Sequence, residues 1–328
     1  MDAKITKQRL SGMLSYDWFK IIAFALGLVL IWSLVLTTAA TRITSAQDFT
    51  IFNHYANGSV SSSFTSFYNS SIENGVFSYE ILETTSNDLT LSEEKATTIL
   101  QTRITTNQGD LIFVPGIKDE DVTSSEDGYE YTYVDTFATN YGDVLFDLDP
   151  TNEKGYFAQM DAFLDEYYHG DHENGTLDEA KAEADFRARV VKDKRYKKES
   201  QIVQGVSDEI ERIKKYKQAY DTFFNEYLDK YVCFTEMELT DETGEVVVKG
   251  TYGLNLCPTD ADGNLQSSEM DTLKKYAYYW AENEEGESQI TAKNMNVMFF
   301  DLGVTDGFQF ESLLFVNALI DACITANV

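Results

Sequence analysis

From Ile21 to Ala40 the chain carries no charge, within the apolar stretch Trp18–Ala40, WFKIIAFALGLVLIWSLVLTTAA. Twenty helical residues rise about 30 Å, the thickness of a bilayer's hydrocarbon core. A helix satisfies its own backbone polar groups, so it is the form such a segment can take in lipid. The stretch predicts a transmembrane helix over residues 18–40, with residues 1–17 as a short tail. Lys20 lies at the edge of the stretch, where it can snorkel, and Trp18 falls at an interfacial belt position.

Orientation follows from the cations. Lys4, Lys7, Arg9 and Lys20 precede or open the stretch, and only Arg42 follows before Lys95. The positive-inside rule places the N-terminus in the cytoplasm and the rest of the chain outside. The rival is a cleaved signal peptide, since Thr38-Ala39-Ala40 offers small residues. The apolar run is longer than the roughly 7–15 residues of a signal peptide, which favours an uncleaved anchor. No cysteine follows at the end of the segment, which excludes a lipoprotein anchor.

The exterior is acidic. The net charge of the 328 residues is −29, and residues 1–20 contribute +2, so the remainder carries −31. Such a surface repels nucleic acid, and anionic lipid or wall polymer too, and suits a solvated exterior. Three cysteines are too few for a disulfide scaffold. Cys233 and Cys257 flank a strand region and can pair outside the cell; Cys323, in an apolar helical pattern, reads as a buried thiol.

Beyond the anchor, the pattern predicts an α/β fold. Asp48–Tyr55 reads as a strand, Ser59–Ser70 as a helix and Val76–Leu82 as a second strand. Ser92-Glu-Glu-Lys opens a helix running to about Thr105, and Leu111–Val114 is an apolar strand stopped by Pro115-Gly116. That order implies a parallel sheet with helices on its faces. Residues 118–130 read as an acidic loop, and 154–232 as helical, with Thr176-Leu-Asp-Glu179 as a capping box. From Ile202 to Tyr231 apolar residues recur at helical spacing, a long amphipathic helix. Arg187–Lys198 holds seven Lys/Arg and one Asp; such a cluster can contact anionic lipid, polymer or a partner, but is better read as a helix face satisfied by neighbouring acids. Strand-like stretches surround Gly250 and Gly253, a helix is expected near 268–281, Asn296–Gly303 reads as a buried strand, and Phe310–Ile324 as a closing helix. The expected organisation is 41–150 as the first part of an α/β lobe, 151–235 as a helical lobe or insertion, and 236–328 as the return to the α/β lobe.

Several segments, taken in order, resemble extracytoplasmic solute-binding proteins of ABC importers. They are Asp48–Tyr55, Ile99–Val114, Tyr141-Gly-Asp-Val-Leu-Phe-Asp-Leu-Asp-Pro150, Tyr252-Gly-Leu-Asn-Leu256 and Phe310–Ile320. The resemblance implies a periplasmic-binding-protein-like α/β lobe with a reduced, mainly helical second lobe, from a Gram-positive bacterium. It implies binding of a small molecule or peptide and an importer permease as partner. This chain departs from the family in its length, its missing lipobox cysteine and its shortened second lobe.

In open α/β sheets ligands sit beyond the C-terminal ends of the strands. By this reading those ends are Asn53, His54 and Tyr55; Thr84 and Thr85; and Pro115 and Gly116. His54 and Tyr55 offer a polar pair and an aromatic face suited to sugar or peptide. Asp260, Asp262 and Glu269 fall at positions 3, 5 and 12 of a calcium loop, but Pro258 occupies position 1, so an Asp-Gly turn is the favoured reading. Beyond that weak calcium pattern no cofactor is implied. Tyr278-Tyr279-Trp280 is expected on a helix as core or interface. His169 and His172 are spaced like a metal pair but lack a third ligand. No GxSxG, HExxH or P-loop pattern occurs, so an enzyme is not expected. Two roles remain: solute binding, or a surface adaptor that uses the 199–231 helix or the basic stretch for a protein partner.

Overall fold

The computed structural model describes residues 7–39, 43–53, 55, 58–89, 93–119, 130–240, 246–282 and 286–326. The chain divides into two compact units, Met1–Ile43 and Thr44–Val328.

The first unit is helix α1, Lys7–Ala39. It begins before the apolar stretch, because the preceding residues carry no helix breaker apart from Gly12. Its window Trp18–Val35 has a mean hydropathy of 2.2, so the helix is long and apolar enough to cross a membrane. A second helix passes the same length test, but it lies in the core and is largely buried.

The second unit is mixed α/β. In chain order it contains β1 (Asp48–Asn53), β2 (Gly58–Val60), α2 (Ser62–Ser70), β3 (Glu83–Asp88), α3 (Glu93–Thr105), β4 (Leu111–Pro115) and α4 (Tyr133–Tyr141). There follow α5 (Tyr156–Tyr167), α6 (Glu179–Arg189), α7 (Glu199–Thr222), β5 (Cys233–Thr240) and β6 (Val246–Asn255). The chain ends with β7 (Ala277–Glu282), β8 (Ser288–Thr291), β9 (Met295–Phe299) and α8 (Glu311–Thr325).

Six strands form one sheet in the order β3-β1-β4-β9-β6-β5. The β3-β1-β4 half is parallel; β9, β6 and β5 join antiparallel. Alternation along the strands builds three layers. Phe49, Ile51, Leu111, Phe113, Val297 and Phe299 face one core together with residues of α2, α5, α7 and α8. Phe52, Ile112, Val114 and Met298 face the other, against Leu100 of α3 and Val134 and Phe137 of α4. A three-stranded sheet, β2-β7-β8, lies apart from this one.

Several expected elements move. Val76–Leu82 is not a strand: Phe77 and Ile81 are buried in the core, but their backbone is irregular. The strand is the polar Glu83–Asp88 that follows, at the sheet's edge. An edge strand needs no apolar alternation, so the pattern marked burial rather than pairing. The helix expected near 268–281 is a 3-10 segment, Ser268–Lys275, and then β7. Tyr278-Tyr279-Trp280 therefore alternates: Tyr279 is 4% exposed and Trp280 58%. Aromatics at that density favour a pleated strand, here held between β2 and β8. The cap of α6 is Asp178, whose Oδ1 accepts from the Lys181 N–H at 2.9 Å, rather than Thr176. The long helix runs as α7 and ends in a π-turn, Phe223–Tyr227. Most of the 118–130 loop lies outside the described residues.

Candidate functional site

The parallel strands create a switch point. β1 lies between β3 and β4, and the chain leaves β1 toward β3 but leaves β4 toward the other half of the sheet. Their C-terminal ends are where an open α/β sheet offers a crevice. Asn53 closes β1 and is 4% exposed; its Nδ2 donates to Ser86 Oγ, while its Oδ1 is buried with no hydrogen-bond partner among the described residues. Asn87, opposite Phe52 in register, likewise buries an unpartnered Nδ2. Buried polar atoms are rarely left unsatisfied, so both are marked positions. Tyr55 packs edge-on against Phe137 at 4.9 Å.

The other expected residues there are covered by neighbouring backbone. The Gly116 N–H donates to the Asn294 carbonyl at 2.7 Å, and a Cβ on Gly116 would lie 2.7 Å from the same oxygen. A Cβ on Gly58 would lie 3.2 Å from the Pro115 ring. Thr84 is at the opposite end: it pairs with Phe49 near the start of both strands, because β3 begins at Glu83. The C-terminal end of β3 is Asn87 and Asp88. His54 lies outside the described residues.

The calcium-like loop is an Asp-Gly turn. Asp260 Oδ1 accepts from the N–H groups of Asp262 and Asn264, each at 2.9 Å, and Gly263 takes φ +77°. The Asn264 N–H bond holds the Asp260 carboxyl below its usual range. Glu269 accepts from Ser267 Oγ at 2.8 Å. Among the described residues no three His, Cys, Asp or Glu side chains are grouped to hold a metal ion. The two histidines are separated in role: His169 faces Asp178 at 3.7 Å on the surface, while His172 is buried with Nδ1 2.9 Å from Asp165.

A cleft not foreseen from the sequence opens between the helical region and the loop before α8. Its volume is 640 Å³. Gln159, Phe163, Glu166 and Tyr167 line it from α5, Asp185 and Arg189 from α6, and Val304–Gly307, Gln309 and Phe310 from the loop. The α5 residues recur at three and four positions and so share a face, as do Asp185 and Arg189 on α6. Gly307, at φ +80°, carries the loop over Phe163; a Cβ there would lie 2.8 Å from the ring.

Beneath the cleft lies a buried charge network. Glu209 accepts from Arg212 at 2.7 and 3.0 Å, from Arg189 at 2.8 and 3.1 Å and from Tyr79 Oη at 2.7 Å. Burial alone would raise the Glu209 carboxyl, but the guanidiniums of Arg212 and Arg189 outweigh it and bring it down to about 2. Arg212 Nη1 also donates to the Asp306 carbonyl at 2.9 Å, and its guanidinium lies 4.6 Å from the Phe308 ring centre. These contacts fix the loop that walls the cleft. Alongside, Glu311 accepts from the Ser78 N–H at 2.9 Å and from Tyr216 Oη at 2.6 Å; burial pushes its carboxyl up. Lys181 Nζ joins Glu166 and Asp185, each at 2.8 Å.

Glu166, Asp185 and Asp306 outnumber the single Arg189 in the lining; Arg189 is engaged by Glu209, and Lys181 pairs with one oxygen each of Glu166 and Asp185, which leaves their second oxygens and Asp306 as acceptors. The cleft thus offers hydrogen-bond acceptors beside the Phe163 and Phe310 rings. The lining contains no histidine, cysteine or lysine. One sequence signal pointed here: Glu209 and Arg212 fall on the same stripe of α7 as Ile213 and Tyr216, where charge is out of place unless paired.

The basic stretch is partly accounted for. Arg187 binds Glu183 and Glu199, Arg189 binds Glu209, and Arg195 binds Asp193 and Glu80. The apolar face of α7, with Ile213, Tyr216 and Ala219, is buried in the core. No family model, curated protein or solved structure matches the chain.

Proposed function

We propose that this chain is a membrane-anchored protein whose globular unit lies outside the cytoplasm and captures a small polar solute, as an extracytoplasmic solute-binding protein serving an ABC-type importer. The observation that carries this reading is the 640 Å³ cleft between α5, α6 and the 304–310 loop. Its volume suits a small ligand, since binding clefts run to about 300–1,000 Å³. Its acceptor-rich lining beside aromatic rings suits a solute rich in hydrogen-bond donors, such as an oligosaccharide or a cationic peptide. The buried network under it holds the wall in place before ligand arrives, which lowers the ordering cost of binding. The apolar helix α1, with its cations before the span, supports the anchor and its orientation. The adaptor reading has less support, because the apolar face of α7 is already used inside the core.

Isothermal titration of the full chain in nanodiscs, against neutral oligosaccharides and cationic peptides, tests the reading. A saturable heat with one class, weakened about tenfold by Asp306→Asn or Glu166→Gln, is expected. No heat with either class would overturn it.

A further inference from the structure

We infer that the tip of the α6–α7 hairpin is a contact surface for anionic phospholipid. This rests on the membrane-anchor part of the proposed function and is independent of what the cleft binds. The seven cations of Arg187–Lys198 divide by residue type. The three arginines all bind carboxylates of their own unit: Glu183 and Glu199, Glu209, and Asp193 and Glu80. Lys192, Lys194, Lys197 and Lys198 are all exposed, and among the described residues none has an ion pair or a side-chain hydrogen bond through its ammonium group. They lie in the turn that joins the two helices, so they converge on one end of the hairpin. Val191 sits among them with 77% of its surface exposed, while its neighbour Val190 is buried and pins the turn.

The nearby acids cancel these lysines only in part: Arg187, Arg189, Arg195 and Arg212 face the five carboxylates of Glu183, Glu199, Glu209, Asp193 and Glu80, which leaves one negative charge against four lysines. The wider surface is acidic, but charges farther off than about 8–10 Å are screened at physiological salt. What a partner meets at close range is therefore four mobile ammonium groups around an apolar tip. Lysine suits this use: its charge rides on a flexible stem that can follow headgroup phosphates, whereas arginine here is spent in fixed geometry. Clustered lysines on a membrane-anchored chain are attracted to anionic lipid, and one exposed valine adds a small apolar contact. α1 supplies the anchor that keeps the chain at a bilayer.

The test uses the full chain reconstituted in vesicles of phosphatidylcholine alone or mixed with phosphatidylglycerol. Lysine acetylation rates are read residue by residue by mass spectrometry, with exposed Lys154 as reference. We expect Lys192, Lys194, Lys197 and Lys198 to be protected about threefold or more by phosphatidylglycerol, and the protection to disappear at high salt. Lys154 should react alike in both. Equal rates at the four lysines in the two lipids would overturn the inference, as would protection that ignores lipid charge, which would point to a protein contact instead. Flotation of the same samples reports the anchor separately: a chain that floats with unprotected lysines keeps the anchor and loses the contact, and a chain that does not float loses both.

Discussion

Arg212 and Glu209, one turn apart on α7, form a two-pronged ion pair with Nη2–Oε1 at 2.7 Å and Nε–Oε2 at 3.0 Å, both side chains almost wholly out of solvent. Removing one member strands a charge that is buried away from the surface. Arg212→Ala and Glu209→Ala should each cost about 3–5 kcal/mol of stability in chemical denaturation. Glu209 also satisfies Arg189 and Tyr79, so its loss should be the larger. Substituting both residues by Met should cost less than the sum of the single losses, because no lone charge remains from the pair. A single-variant loss below about 1 kcal/mol would show that the pair does not hold the unit together.

Two carboxyls set opposite limits on pH. Glu209 sits well below its usual 4.5, so the stability it contributes is present above 4.5 and is lost as pH falls toward 2. Asp110 behaves the other way. Burial pushes it up to about 8, against the hydrogen bond from the Thr50 N–H and with help from Asp48 and Glu311. Its contribution is full below 3.8 and is lost as pH rises toward 8. Asp110→Asn keeps an acceptor for the Thr50 N–H and removes the ionisation. It should raise stability above pH 8 by about 1–2 kcal/mol and remove the decline in stability between pH 3.8 and about 8, as read by denaturation at a series of pH values.

The apolar helix α1 was legible from its long uncharged run, and β1, β4, α2, α3, α7 and α8 because each carries its own period of burial. Elements whose character comes from their neighbours were not. β3 is polar because it lies at an edge, and β7 is a strand because β2 and β8 flank it. The strand-end residues Asn53, Pro115 and Gly116 fell where the order of strands put them, but Thr84 was misplaced with the strand that carries it. The cleft was out of reach for a different reason. Its lining comes from three segments, 159–167, 185–189 and 304–310, that no local pattern connects. Only the misplaced charges on α7 hinted at it.

Gly205 sits within α7, where alanine would ordinarily help a helix by about 1 kcal/mol. Here a Cβ would lie 2.3 Å from Phe186 Cζ and 2.6 Å from Tyr196 Cε1. Phe186 is fully buried, and its ring cannot swing away. The overlap outweighs the propensity gain, and Gly205→Ala should destabilise the unit by about 1–3 kcal/mol. Trimming the obstacle as well, in Gly205→Ala with Phe186→Leu, should recover part of the loss. A stabilised Gly205→Ala protein would mean that α6 and α7 pack more loosely at this point than the structure has them.

The three cysteines offer a test of the unit's interior. Cys233 and Cys257, which can pair on sequence grounds, are both free thiols, as is Cys323. Cys257 Sγ donates to the Met270 carbonyl at 3.4 Å, so its own neighbourhood supplies a partner other than sulfur. Burial pushes the Cys257 and Cys323 thiols up to about 12, with small opposing effects from nearby lysines. Neither forms appreciable thiolate at neutral pH, and neither is reachable by reagent. Cys233 is half-buried, and burial raises its thiol as well. Native protein treated with a thiol reagent at pH 8 should therefore label slowly at Cys233 alone, and all three should react on unfolding without prior reduction. Labelling that needs reductant in the unfolded chain would mean that a disulfide forms in place of these free thiols.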